Sequence, residues 1–154
     1  MSLNVGDAAP DFRLPGDAGE ISLAALKGKA VVLYFYPKDD TSGCTSEAQG
    51  FTAAADDFAS AGAVVVGVSK DTVASHARFR AKYGLSPLLG ADTAGEVVEA
   101  YGVWVEKSMY GRKYMGIERA TVLIDKTGVI RRVWRKVKVT GHVAEVLEAA
   151  KGLG

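Results

Sequence analysis

The chain has 154 residues, with 19 Lys+Arg against 18 Asp+Glu, a net charge of +1, and a single cysteine. That length predicts one domain over residues 1–154 with a sizeable core, and the near-neutral charge supplies no field to gather nucleic acid or an acidic membrane. One cysteine excludes an intrachain disulfide, and neither a secretory leader in MSLNVGDAAPDF nor about 20 consecutive apolar residues is visible, so the expected setting is the reducing cytoplasm.

In chain order, two short alternating pieces around Pro15-Gly16-Asp17-Ala18-Gly19 predict a hairpin. Ala30–Tyr36, AVVLYFY, is continuously apolar, β-branched and aromatic, the pattern of a strand buried on both faces. Pro37 stops it, and Asp39, Asp40 and Thr41 all suit the start of a helix. Ala48, Phe51, Ala55 and Phe58 recur at helical spacing and carry that helix to about Gly62. Ala63–Ser69 reads as a second buried strand, followed by a helix capped by Asp71 or Thr72 that runs to Tyr83 and stops at Gly84.

A short helix is expected over residues 93–101, then a strand in GVWVEK. Two further strands flank the turn Asp125-Lys126-Thr127-Gly128. Thr140 is expected to cap a last amphipathic helix bearing Val143, Val146, Leu147 and Ala150. Two buried strands joined by a helix imply a parallel unit, and the late hairpin makes the sheet mixed. The fold class is α/β: a thioredoxin-like arrangement, with a central mixed sheet flanked by helices and an N-terminal β-hairpin extension.

If Thr41 is the N-cap, Cys44 stands at the third helical position, where unpaired backbone N–H groups and the helix dipole favour a thiolate. A thiolate in the first turn after a buried strand is placed for nucleophilic attack, although a free cysteine is also often a small buried hydrophobe. From the residues alone the two readings stand about even.

The segment PKDDTSGC resembles the signature of the peroxiredoxins, with Pro37, Thr41 and Cys44 at matching positions. YFYPKDDTSGCTSEAQGF, LLGADTAGEVVEAYGVW, YMGIERATVLIDKTGVIRRVW and KVTGHVAEVL together resemble the peroxiredoxin Q group, also called bacterioferritin comigratory proteins, from about Val5 to Leu147. The resemblance implies a thiol peroxidase acting on hydrogen peroxide and organic hydroperoxides with no metal, haem or flavin. It implies that Cys44 is the peroxidatic cysteine, that Thr41 orients thiolate and peroxide, that Pro37 shields the pocket, and that Arg119 is brought to the thiolate. Backbone N–H groups of Gly43 and Cys44 would complete an anion cradle. Glu47 would either reach Arg119 or simply favour the helix N-terminus.

Many members of that group carry a second cysteine where this chain has Gln49. The resemblance therefore implies a one-cysteine cycle. The oxidised sulfur would be reduced by an external thiol, from glutathione with glutaredoxin or from a thioredoxin system, in a monomer or weak homodimer. A single-thiol transferase and a non-enzymatic binding or chaperone module are the rival readings on the same fold.

Other features carry less chemistry. RRVWRKVK is basic but alternates as a strand with one solvated face, so no nucleic-acid partner is expected. His76 and His142 are far apart in sequence and lack ligand spacing with acids or the thiol, so no metal is expected. Trp104, Met109 and Tyr110 lie in an aromatic and methionine-rich segment, read as core packing, as a loop beside the pocket, or as the lining of a hydroperoxide pocket.

Overall fold

The computed structural model describes residues 3–153. Its first element is the expected hairpin, two short antiparallel strands β1 (Arg13–Leu14) and β2 (Ile21–Ser22). The central strand β3 (Ala30–Phe35) is buried at every residue, as its unbroken apolar run requires. It pairs in parallel with β4 (Ala63–Ser69), Ala30 opposite Ala63 through Phe35 opposite Val68. On its other side it pairs antiparallel with β8 (Ala120–Ile124), which turns back through residues 125–129 into β9 (Ile130–Trp134). With β5 (Leu88–Ala91) on the far edge, the five-stranded order is β5-β4-β3-β8-β9, a mixed sheet.

Strand alternation divides the core in two. Val31, Leu33 and Phe35 of β3 face one layer with Val66, Val68, Val98, Tyr101 and Val122. Val32, Tyr34 and Tyr36 face the other, where Cys44, Phe51, Phe58, Phe79, Leu123 and Val146 pack beneath the helices. Tyr34 stacks on Phe51 at 4.7 Å between centroids, and Gly67 opposite it leaves room for the ring: a Cβ there would lie 2.6 Å from Tyr34 Cζ.

Helix α3 (Val73–Tyr83) begins as expected at Thr72, whose hydroxyl accepts from Ser75 N, and ends at Gly84 with φ +63°. Elsewhere the structure departs from the sequence reading. The long helix after Pro37 is two, α1 (Ser42–Ala53) and α2 (Ala55–Ser60), parted at Ala54. Three alanines, the best helix formers, span that break, so nothing local could announce it. The short helix α4 (Glu96–Ala100) starts only after Gly95. Strand β5 escaped notice because it is a four-residue edge piece containing Gly90 and closely following Pro87.

The segment GVWVEK is half of a two-stranded ribbon, β6 (Trp104–Met109) with β7 (Arg112–Ile117). Its turn is Tyr110-Gly111, both at positive φ. The final helix α5 (His142–Lys151) is preceded by Gly141 at φ +76° as N-cap, not by Thr140. No helix is long and apolar enough to cross a membrane among the described residues.

Candidate active site

Thr41 takes the extended N-cap conformation, φ −97° and ψ 157°, so Cys44 occupies the third position of α1. The residue is 1% exposed, packed with Tyr34, Ala48 and Phe51. Arg119 lies in the two-residue link between β7 and β8. Pairing of Ala120 with Phe35 sets that link beside the end of β3, where the chain turns toward α1. Two sequence-distant segments thus meet: Arg119 Nη2 donates to Cys44 Sγ at 3.4 Å, and Nη1 donates to Glu47 Oε1 at 2.8 Å.

Gly43 is part of this fit. A Cβ on it would lie 3.0 Å from Arg119 Nη2, so the bare backbone lets the guanidinium settle against the first turn of α1.

Glu47 is fully buried, and burial pushes its carboxyl up to about 7, with the charge and hydrogen bond of Arg119 pulling the other way. Its second oxygen, Oε2, has no hydrogen-bond partner among the described residues. For Arg119, burial opposes the cation, but Glu47 and Cys44 outweigh it and raise its pKa. The guanidinium is therefore a fixed positive charge held between a carboxyl and a sulfur.

The loop leading into α1 is fastened to α3. Tyr36 Oη donates to Asp39 Oδ1 at 2.6 Å, Ser75 Oγ donates to Asp39 Oδ2 at 2.8 Å, and His76 Nδ1 lies 2.7 Å from the same Oδ2. His76 Nε2 faces the Gly90 carbonyl at 3.0 Å. Both ring nitrogens therefore meet acceptors, the pattern of an imidazolium. Burial works against that charge, but the hydrogen bond and charge of Asp39 prevail and raise the pKa of His76. Asp40 adds a second tie, accepting from Lys82 Nζ at 2.8 Å and Tyr83 Oη at 2.6 Å.

No acid stands at ligand spacing from His76 in the sequence, but folding sets Asp39 and Asp71 beside it. The second histidine, His142, is also buried; its Nε2 lies 2.8 Å from Thr121 Oγ1, and burial lowers its pKa.

Of the residues singled out in the sequence, Cys44, Gly43, Glu47 and Arg119 come together. Thr41 is exposed and makes no side-chain cap bond; its hydroxyl donates to the Lys38 carbonyl at 2.8 Å, which leaves its lone pairs free to accept. Pro37 is exposed at the end of β3. Trp104 is half-buried, with Lys70 Nζ 4.2 Å from its ring centroid. Met109 and Tyr110 stand at the ribbon tip, 56% and 98% exposed, not in a core. Gln49 is exposed and about 140° around α1 from Cys44.

Three arginines of the basic stretch pair with acids: Arg131 with Asp125, Arg132 with Glu145 and Arg135 with Glu118. A surface depression of about 680 Å³ lies at the opposite end of the sheet, between Ala30, Gly62 and Lys126, and includes none of the site residues.

Residues 5–133 match the AhpC/TSA family. A putative peroxiredoxin bcp of Coxiella burnetii is 57% identical over 148 residues, covering 96% of this chain and 98% of the relative. The peroxiredoxin Bcp of Bacillus subtilis is 48% identical over 154 residues, covering 99% and 98%. Among solved structures, peroxiredoxin Q of Xanthomonas campestris superposes with a TM-score of 0.87 at 44% identity, covering 92% of this chain and 90% of that one. A mutant PrxQ of Xylella fastidiosa superposes with a TM-score of 0.93 at 37% identity, covering 99% and 98%. The thioredoxin-like fold expected from the sequence is the fold of these neighbours.

Proposed function

Because this chain belongs to the AhpC/TSA family, among the peroxiredoxins called Bcp and Q, it is a thiol-dependent peroxidase, and we propose that it performs that reaction through Cys44 alone. The observation that carries the proposal is the Arg119 guanidinium 3.4 Å from the one cysteine sulfur, at the N-terminal turn of α1.

The Cys44 thiolate attacks one peroxide oxygen in line with the O–O bond. A new S–O bond forms as the O–O bond breaks, and the leaving oxygen carries away the electron pair as hydroxide or alkoxide, then takes a proton to become water or alcohol. Arg119 cannot be deprotonated, so it stabilises both the starting thiolate and the charge growing on the leaving oxygen. Thr41, with its own proton committed to the Lys38 carbonyl, accepts a hydrogen bond from the peroxide O–H. The N–H groups of Gly43 and Cys44, without intrahelical acceptors in the first turn, supply further donors. Glu47 holds the second Nη of Arg119 and so fixes the plane of the guanidinium. In this reading Pro37 shields the thiolate and Trp104 lines the route by which the hydroperoxide arrives.

Cys44 leaves the reaction as a sulfenic acid. Gln49 offers no thiol, so an external thiol such as glutathione, or a glutaredoxin or thioredoxin, restores it. In this reading the protein works as a monomer or weak homodimer. Dependence on a thiol reductant suits the cytoplasm.

The test is peroxide consumption with dithiothreitol by wild type, Cys44→Ser and Arg119→Ala. The serine variant is expected to be inactive and the alanine variant about 100- to 1000-fold slower. Undiminished consumption by Cys44→Ser would dismiss the mechanism.

A further inference from the structure

The β6–β7 ribbon leads directly into Arg119, and one of its faces carries a cation that the peroxide step does not use. Lys107 pairs across the ribbon with Tyr114, and Val105 with Gly116. The Lys107 stem leans toward the base of the ribbon. A Cβ on Gly116 would lie 3.2 Å from Lys107 Cδ, 3.5 Å from its Cε and 3.4 Å from the Tyr114 ring. The glycine is a shallow seat that sets the lysine stem toward the base of the ribbon, where the chain runs on to Arg119 three residues later, rather than toward the exposed tip.

Lys107 is half-buried and has no ion-pair partner among the described residues, whereas the neighbouring ribbon charges Glu106 and Lys113 pair with each other. Burial and the charge of Arg119 both lower its pKa, while Cys44 and Glu118 oppose that shift. Glu118 is already held by Arg135 at 2.6 Å.

The charges then change with oxidation state. With Cys44 as thiolate and Glu47 ionised, two anions balance Arg119 and Lys107. Once the sulfur is a neutral sulfenic acid, one anion is gone and the site is left positive.

We propose that Lys107 recruits the resolving reductant, and that this reductant is a small thiol bearing a carboxylate. The proposal rests on the one-cysteine reading above. Hydrogen peroxide is uncharged and gains nothing from a second cation. The resolving thiol reacts as an anion and must come from solution. Its thiolate attacks the sulfenic sulfur, forming an S–S bond and expelling hydroxide, which takes a proton to become water. A second thiolate attacks the mixed disulfide, releasing the small disulfide and the Cys44 thiolate. Return of that charge lowers the attraction and frees the site.

The experiment forms the Cys44 sulfenic acid with stoichiometric hydrogen peroxide. It then follows mixed-disulfide formation by rapid quench and mass spectrometry with glutathione and thioglycolate (anionic), 2-mercaptoethanol (uncharged) and cysteamine (cationic). The readout is the ratio of anionic to uncharged rates within each protein, which partial misfolding does not move. Lys107→Gln is expected to lower that ratio about three- to tenfold. Lys107→Glu should lower it further and favour cysteamine, Lys107→Arg should keep it, and added salt should compress it. A ratio unchanged across the variants, with normal sulfenic acid yield, overturns the role of Lys107 alone. Failure of wild type to form the sulfenic acid overturns the one-cysteine reading together with it.

Discussion

The buried tie between Asp39 and His76 gives a prediction whose sign and size follow from geometry. His76 is fully buried with acceptors at both ring nitrogens, 2.7 Å and 3.0 Å away. His76→Leu leaves the Asp39 carboxylate with its Tyr36 and Ser75 donors but no counter-charge, and should cost about 3–5 kcal/mol. Asp39→Asn is milder. Its amide can donate to Nδ1 of a neutral ring, while its oxygen still accepts from Tyr36, so the expected cost is about 1–2 kcal/mol.

The two variants also differ from wild type in pH dependence. A histidine whose native pKa is raised stabilises the fold fully below its unfolded value of 6.5, and that stability is lost as pH rises through the native value. Wild type should therefore lose up to about 1.4 kcal/mol per pH unit from this pair as pH rises above 6.5 toward the raised native value, read from pH 7 upward. Reading there avoids Glu47, whose raised carboxyl acts with the same sign between 4.5 and about 7. Urea unfolding across that range checks both points. Equal costs for the two variants, or the same slope in Asp39→Asn as in wild type, would refute the charged pair.

Gly43→Ala places a Cβ 3.0 Å from Arg119 Nη2 and should slow peroxide reduction about three- to tenfold, measured at saturating reductant. Because alanine favours a helix interior, its unfolding free energy should hold or rise, so a loss of stability matching the loss of rate would point to general disruption instead. Glu47→Gln keeps an acceptor for Arg119 while removing the group at about 7, so the pH profile of peroxide reduction should lose an inflection near that value. Gly67→Ala drives a Cβ to 2.6 Å from the buried Tyr34 ring and should destabilise the fold by about 1–3 kcal/mol, read by denaturant unfolding.

What could be read directly was whatever depends on neighbours in the chain. The β3 and β4 runs declare themselves because a strand covered on both faces has no reason to alternate. Thr72 and Gly84 bound α3 because a hydroxyl acceptor and a left-handed residue meet local backbone needs. The placement of Cys44 in the first turn of α1 follows from the same local logic. Strands β5 and β7 were not legible: one is a short edge piece, and the other is so exposed that Arg112, Lys113, Tyr114 and Met115 form no apolar pattern. The break at Ala54 and the start of α5 after Gly141 depend on packing, to which alanine and a surface threonine are indifferent.

The sequence by itself determined the α/β order, the helix-start position of the one thiol and, through resemblance, the candidate partners Thr41 and Arg119. Only the tertiary structure decided that Arg119 bridges Cys44 and Glu47, that Asp39 closes on His76, and that the Lys107 stem lies along Gly116. The reason is range. Propensity, caps and periodicity act over a few residues, whereas a charge acts through space on whatever strand pairing brings near, and the β3–β8 register sets a guanidinium beside a sulfur 75 residues away in the chain.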